Sequence, residues 1–119
     1  SPVQMRVPLF IKWPGKQPTV IDHLTSHNDL PPTIINSVLG CENSSLDFSS
    51  GHSLFDKKPW QFIVAGSYDS FAIISPERTI TSFGGYYEVR DENYKLMQLS
   101  ADDKELIQSA ILEMKRFYK

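Results

Sequence analysis

The sequence predicts an α+β fold in which helices and strands occupy separate parts of the chain. Between residues 60 and 97, short runs rich in β-branched and aromatic residues alternate with hairpin-sized turns. A set of helix signals precedes them at residues 29–40, and an amphipathic pattern follows at residues 100–119. Strands followed by a helix are typical of a sheet with one covered face.

The first element predicted is a buried strand at Val7–Trp13, which is ended by a turn at Pro14 and Gly15. Because Pro8 cannot donate to a strand ladder, this strand should begin there or lie at a sheet edge. Val20 and Ile21 are expected to form a short extended piece.

A helix is predicted next, from Asp29 to Gly40. Asp29 can cap the free N–H groups of the first turn, and prolines are tolerated in that turn. Gly40 suits the left-handed position just past a helix end. The apolar residues of this helix have the spacing of a single buried face, which contains Leu30, Ile34, Ile35 and Val38.

The second half predicts an antiparallel meander of four strands with a short fifth, at 60–66, 70–75, 78–83, 86–90 and 94–97. A C-terminal helix from Ser100 to Lys119 should cover one face, with Ser100 and Asp103 as a capping box. Its apolar stripe contains Ile107, Ala110, Ile111, Met114, Phe117 and Tyr118.

Size and charge exclude several functional classes. The 119 residues suit one domain, and 12 basic against 14 acidic side chains leave a net charge of −2. Nucleic acid is therefore not an expected partner, since phosphate binding needs a basic face. The single cysteine, Cys41, excludes an internal disulfide and a cysteine-rich zinc site.

The residues alone contain no convincing active site. His23 and His27 are weak metal-ligand candidates beside Asp22 and Asp29, but their spacing converges only on a helix, which this segment does not predict. The competing interpretation is a packed loop. Neighbouring Ser and His at residues 49–53 lack the geometry of a nucleophile and its base. The aromatic residues of the meander fit a core better than a stacking platform, and they are Trp60, Phe62, Tyr68, Phe71, Phe83, Tyr86 and Tyr87.

Three motifs of the first half resemble the sulfatase/alkaline phosphatase superfamily. They are the R-V-P-L-F-I-K-W-P-G run at 6–15, the S-H-N-D-L-P-P-T-I-I run at 26–35 closed by L-G at 39–40, and the G-H-S-L-F run at 51–55. The matching positions, expected to be structural, are Val7, Pro8, Pro14, Gly15, His27, Asp29, Pro32, Thr33, Gly40 and Gly51. The layout is similar to the C-terminal end of a branch of sulfatase-like inner-membrane proteins of Gram-negative bacteria.

This resemblance implies a C-terminal portion of an alkaline-phosphatase-like α/β domain. Residues 1–56 would end the catalytic-domain core, and residues 57–119 would form the meander and last helix. The family's nucleophile and metal ligands lie upstream of the V-P-L strand, so no catalytic residue is carried over, and no cofactor is expected here. A divalent metal is expected in the parent protein.

The resemblance also implies partners and a location. The parent would lie in the inner membrane with this part on the periplasmic face, in a role linked to lipopolysaccharide and envelope lipid homeostasis. The rest of the parent chain is the expected partner, with an envelope lipid or a membrane regulatory protein as further candidates. A homodimer through the exposed N-terminal strand is also expected. The alternatives are a small lipid- or protein-binding module and a free-standing metallohydrolase that uses His23, His27 and Asp29.

Overall fold

The computed structural model describes residues 2–67 and 69–116, and it has the α+β fold that the sequence predicts. Three helices are described, α1 at Pro2–Met5, α2 at Leu30–Ser37 and α3 at Ala101–Lys115. The strands are β1 at Ile63–Gly66, β2 at Ser70–Ile74, β3 at Arg78–Phe83, β4 at Tyr86–Asp91 and β5 at Leu96–Met97. Two short 3₁₀ turns lie at His27–Asp29 and Ser45–Asp47.

The strands form one antiparallel sheet in the order β1-β2-β3-β4-β5, so each strand pairs with its neighbour in sequence. Ile73 on β2 faces Ile80 on β3, which in turn faces Val89 on β4. Because side chains alternate along a strand, this register places three aliphatic residues in one row on one face. The predicted meander is thereby confirmed, with the short fifth strand included.

Helix α3 covers that row. Ile107 and Ala110 on α3 join Ile73, Ile80 and Val89 in the buried core. The helix begins at the predicted capping box, where the hydroxyl of Ser100 accepts from the backbone of Asp103 and the carboxylate of Asp103 accepts from Ser100. Phe117 and Tyr118 of the predicted stripe lie outside the described residues.

The core of the meander is aliphatic, so the prediction of an aromatic core is wrong for part of the set. Phe83 and Tyr86 flank the turn at Gly84 and Gly85, and they are 40% and 62% exposed. Their rings stack on each other with centroids 5.6 Å apart. Tyr87 is also exposed, and Tyr68 lies outside the described residues.

The strand predicted at Val7–Trp13 is not formed, and Val20 and Ile21, predicted as a short extended piece, belong to none of the described strands. A strand needs a neighbour for its backbone groups, and no described strand pairs with this segment. Val7, Leu9, Phe10 and Ile11 are exposed instead of buried, with Phe10 at 92%, whereas Trp13 is half-buried against the ring of Phe55. The predicted turn is present, since Gly15 has φ of 79° and the N–H of Lys16 donates to Trp13. Dimerisation through this segment stays a prediction.

Helix α2 differs from its prediction in where it begins and in which face is buried. It begins at Leu30, and the side chain of Asp29 makes no capping bond to it. The buried side chains are Pro32 and Thr33, whereas Ile34 and Val38 are 46% and 62% exposed. The other two members of the predicted face, Leu30 and Ile35, are half-buried, so the predicted face is only partly covered.

Candidate functional site

The second and third sequence motifs, at residues 26–35 and 51–55, meet around the carboxylate of Asp29. We call this group the Asp29 network, and it consists of Ser26, Asn28, Asp29, Thr33, Ser49, Ser50, Gly51, His52, Leu54 and Trp60. Its members come from the 3₁₀ turn before α2, from α2 itself and from residues 49–60. The network is therefore the place where the sequence motifs can be assigned a physical role.

Asp29 is only 1% exposed and accepts from three donors. The backbone N–H of Ser26 donates to Oδ2 at 2.8 Å, and that of His52 donates to Oδ1 at 3.0 Å. The indole N–H of Trp60 lies between the two oxygens, 3.1 Å from Oδ1 and 2.9 Å from Oδ2. A buried carboxylate is stable only when such donors replace its water, and here they do.

Thr33 makes a second buried link between the two motifs. Its hydroxyl donates to the backbone carbonyl of Asp29 at 2.6 Å and accepts from the N–H of Leu54 at 2.8 Å. The hydroxyl thus uses both its donor and one acceptor position without contacting solvent, since Thr33 is fully buried. The motif threonine therefore attaches α2 to the turn at residues 51–55.

Gly51 has a steric role in the same contact. A Cβ built on Gly51 would lie 1.8 Å from the carbonyl oxygen of Asn28, a distance that no side chain can occupy. The N–H of Gly51 donates to Ser49 Oγ, and Ser49 in turn donates to that same Asn28 carbonyl at 2.8 Å. Only glycine permits this close backbone approach.

The outer part of the network is more exposed. The amide of Asn28 donates to the hydroxyl of Ser50 at 2.9 Å. The ring of His52 lies against the indole of Trp60, with centroids 4.4 Å apart and an angle of 37° between the planes. This contact covers the indole whose N–H reaches Asp29.

The geometry of Asp29 describes a structural anchor. Its two oxygens already receive the donors that a metal ion or a proton in transfer would have to replace. The prediction that Asp29 caps α2 is thus wrong in detail, because Ser26 caps the 3₁₀ turn and Asp29 is the third residue of that capping box. The carboxylate faces residues far along the chain, which a local pattern does not contain.

His23 and His27 line one side of an open cleft of about 900 Å³, together with residues 5–9 and the edge of β1. His23 is half-buried, and its Nδ1 lies 3.3 Å from the carbonyl oxygen of Leu24, whereas His27 is exposed. Over residues 2–67 and 69–116, no three or more His, Cys, Asp or Glu side chains converge as a metal site would require. Metal binding by these histidines stays a prediction.

A partly buried ion pair that the sequence pattern does not indicate joins the sheet to α3. Arg78 Nη1 lies 2.7 Å from Oδ1 of Asp103, whose side chain is 1% exposed. Burial alone would raise the pKa of Asp103, but hydrogen bonds from Ser100 and Arg78 outweigh it, so the pKa lies below its usual value. The hydrogen bond and charge of Asp103 raise the pKa of Arg78.

Sequence reasoning also misses Trp60 and Ser49 as partners of the motif residues. The pattern places Trp60 in the first strand of the meander, but β1 begins only at Ile63. The only sequence signal for such a contact is that the motifs at 26–35 and 51–55 follow each other in a fixed order. None of the helices in the described part of the chain has the length and apolar character needed to cross a bilayer.

Comparison with known proteins finds relatives among inner membrane proteins of bacteria. No family model matches the chain. The chain is 26% identical over 115 residues to the inner membrane protein YejM of Salmonella typhimurium, and equally to that of Salmonella typhi. It is also 30% identical over 96 residues, or 77% of its length, to an uncharacterized protein of Haemophilus influenzae, of which it covers 15%.

The alignments to YejM cover 95% of this chain but only 20% of each relative. The chain therefore spans about a fifth of the length of these curated relatives. Similarity to an inner membrane protein, expected from the three motifs, is confirmed. The sulfatase-like and hydrolase descriptions stay predictions from the motifs.

Proposed function

We propose that this chain is a non-catalytic C-terminal part of a sulfatase-like inner-membrane protein that acts in envelope lipid homeostasis. In this proposal its role is structural: it completes a periplasmic domain whose hydrolase-type machinery, including a divalent metal, lies in the upstream part. The similarity to YejM supports the inner-membrane relationship. The Asp29 network is the observation that supports a structural role, because the motif residues bind one another.

The proposal predicts no ester hydrolysis by the purified 119-residue chain. The test is an assay with chromogenic phosphate and sulfate esters in the presence of Mg²⁺, Mn²⁺ or Zn²⁺. Background turnover is the expected result. Metal-dependent turnover that disappears in His27→Ala would overturn the proposal and favour a free-standing metallohydrolase.

The periplasmic location can be tested through Cys41, which is exposed. In the full-length protein in intact cells with a permeabilised outer membrane, a membrane-impermeant maleimide should label Cys41. Cys41→Ser provides the background. Labelling that requires lysis of the inner membrane would contradict the periplasmic location.

A binding module is the second candidate, and the exposed apolar side chains of the first half favour it. Its lipid form predicts that the chain sediments with anionic vesicles at low salt. Absence of sedimentation would exclude lipid binding and leave a protein as the partner of these apolar side chains.

A further inference from the structure

The hairpin between β3 and β4 ends in three exposed aromatic side chains. Phe83 and Tyr86 flank the two glycines of the turn, and Tyr87 follows with 37% of its surface exposed. We call this end of the hairpin, residues 82–87, the aromatic tip. Neighbouring exposed apolar groups of this kind mark an interaction site.

The rings of the aromatic tip lie on both faces of the hairpin. Phe83 and Tyr86 are cross-strand partners, so they share one face, where their ring centroids are 5.6 Å apart. Tyr87 is the next residue along β4 and therefore lies on the opposite face, where its ring meets that of Phe71 edge-on at 6.5 Å. A flat protein partner would contact one face only, whereas a fluid medium surrounds both.

The aromatic tip and the strand residues leading to it are uncharged. Residues 79–87 contain no acidic or basic side chain. The charged residue before this stretch, Arg78, is paired with Asp103 at 2.7 Å. The charged residue after it, Glu88, is paired with Arg90 at 2.6 Å. Both flanking charges are thus neutralised by a neighbour.

The neighbouring turn adds a negative charge to this end of the sheet. Ser70 pairs with Phe83, so the turn between β1 and β2 lies beside the aromatic tip, and it contains the exposed Asp69. Neither the tip nor residues 67–69 contain a basic side chain. Anionic partners are therefore disfavoured here, and a surface without net charge is favoured.

The backbone of the aromatic tip also suits a poorly hydrated medium. The pairs Ser82–Tyr87 and Phe83–Tyr86 continue the ladder between β3 and β4 up to the turn itself. The two glycines of the turn have φ of 49° and 111°, the positive values that a two-residue hairpin turn requires. A tight hairpin leaves few backbone groups in need of water, which is the condition for entering a lipid layer.

We propose that the aromatic tip inserts into the water–lipid interface of the membrane, among zwitterionic headgroups. This inference rests on the proposed function, which places this part of the chain beside a membrane, and the relatives named YejM are inner membrane proteins. Tyrosine suits that depth because its ring is apolar and its hydroxyl reaches water. Phe83 and Tyr86 enter the boundary between headgroups and acyl chains, while the paired Glu88 and Arg90 stay at the level of the water.

The test is fluorescence quenching in the full-length protein, reconstituted in phosphatidylcholine vesicles. Tyr86→Cys reports on the aromatic tip, and Leu112→Cys, at a position on α3 that is 69% exposed, is the matched control. Both are made in a background without other cysteines, and each carries the same environment-sensitive label. Quenching is measured with a lipid that is spin-labelled just below its headgroup, and separately with iodide in the water.

The spin-labelled lipid should quench the label at position 86 roughly threefold more strongly than the label at 112, and iodide should give the reverse order. Anionic lipid should not increase the quenching at 86, because the tip has no basic side chain. Adding Phe83→Asp should remove most of the lipid quenching at 86, because a carboxylate is costly in the apolar layer. Ser109→Asp, which adds an equal charge at an exposed position on α3, should leave it unchanged.

Equal quenching at the two positions would overturn the proposal, and so would quenching at 86 that appears only with anionic lipid. A label at 86 that neither quencher reaches identifies a protein contact, and this outcome also overturns the proposal. The proposed function fails separately, through metal-dependent turnover by the isolated chain or through labelling of Cys41 that requires lysis, and neither assay depends on the aromatic tip.

Discussion

Replacing Asp29 with asparagine should destabilise the protein although it removes only a charge and one acceptor. In the native network both carboxylate oxygens accept, from Ser26, His52 and Trp60. The asparagine side chain would place an NH₂ group where one oxygen now lies, so that a donor faces a donor. The chain cannot relax easily, because the site is buried and Thr33 holds the backbone.

The expected loss follows from the bonds affected. A hydrogen bond to a charged group contributes about 1.5–3 kcal/mol, and an unpaired buried donor costs about 1–3 kcal/mol. We therefore expect Asp29→Asn to lower the free energy of unfolding by about 2–3 kcal/mol. With a urea m-value near about 1.5 kcal/mol/M, this shifts the midpoint by roughly 1–2 M.

The assay is urea unfolding followed by far-UV circular dichroism and, where Trp60 is kept, by indole fluorescence. Asp22→Asn is the matched control, since Asp22 is exposed and should change stability by less than about 0.5 kcal/mol. Trp60→Phe removes one donor, and its double-mutant cycle with Asp29→Asn should give a coupling energy of about 1–2 kcal/mol. A midpoint for Asp29→Asn within the error of the control, or no coupling, would refute the role assigned to the carboxylate.

The Asp103 ion pair, the Gly51 contact and the histidine cleft can each be tested in turn. Because the pKa of Asp103 is lowered in the folded protein, its contribution to stability is present above the ordinary carboxyl pKa and is lost as pH falls below it. Asp103→Asn should therefore lower the free energy of unfolding by about 3 kcal/mol at neutral pH and flatten the acid limb of a stability–pH curve. An unchanged acid limb contradicts this. In urea titration, Gly51→Ala should lower the free energy of unfolding by about 3 kcal/mol or more, because its Cβ clashes with Asn28. The control Gly66→Ala, whose Cβ would lie 3.9 Å from its nearest neighbour, should lower it by less than about 1 kcal/mol, and equal effects would disprove the steric argument. Zinc should not raise the thermal midpoint of the chain, and a stoichiometric rise that is lost in His27→Ala would instead support a metal site.

The meander and its helix can be predicted because their determinants are local. Turn residues separate each pair of strands, and Ser100 with Asp103 forms a capping box within one helical turn. The α2 signal is also local, and Gly40 has the expected left-handed φ of 66°. Elements of this kind depend on neighbours within a few residues, which the sequence displays directly.

The failures involve partners that are distant or outside the chain. The run Val7–Trp13 has strand composition but no described neighbour to pair with, so composition alone leads to the wrong prediction. Apolar spacing predicts a buried face that contains Ile34 and Val38, but both are exposed, whereas the buried Thr33 accepts from the N–H of Leu54, 21 residues further along the chain. Asp29 and Trp60 are 31 residues apart, and no periodicity relates them.

The Asp29 network has a consequence for the order in which the nascent chain folds. The bonds between its two stretches join residues 21–31 positions apart, and every donor from residues 49–60 follows α2 in the chain. Closing loops of this length slows folding relative to hairpins between adjacent strands. The turn before α2 therefore cannot complete these bonds until residues 49–60 have also emerged, and until then the carboxylate of Asp29 is solvated.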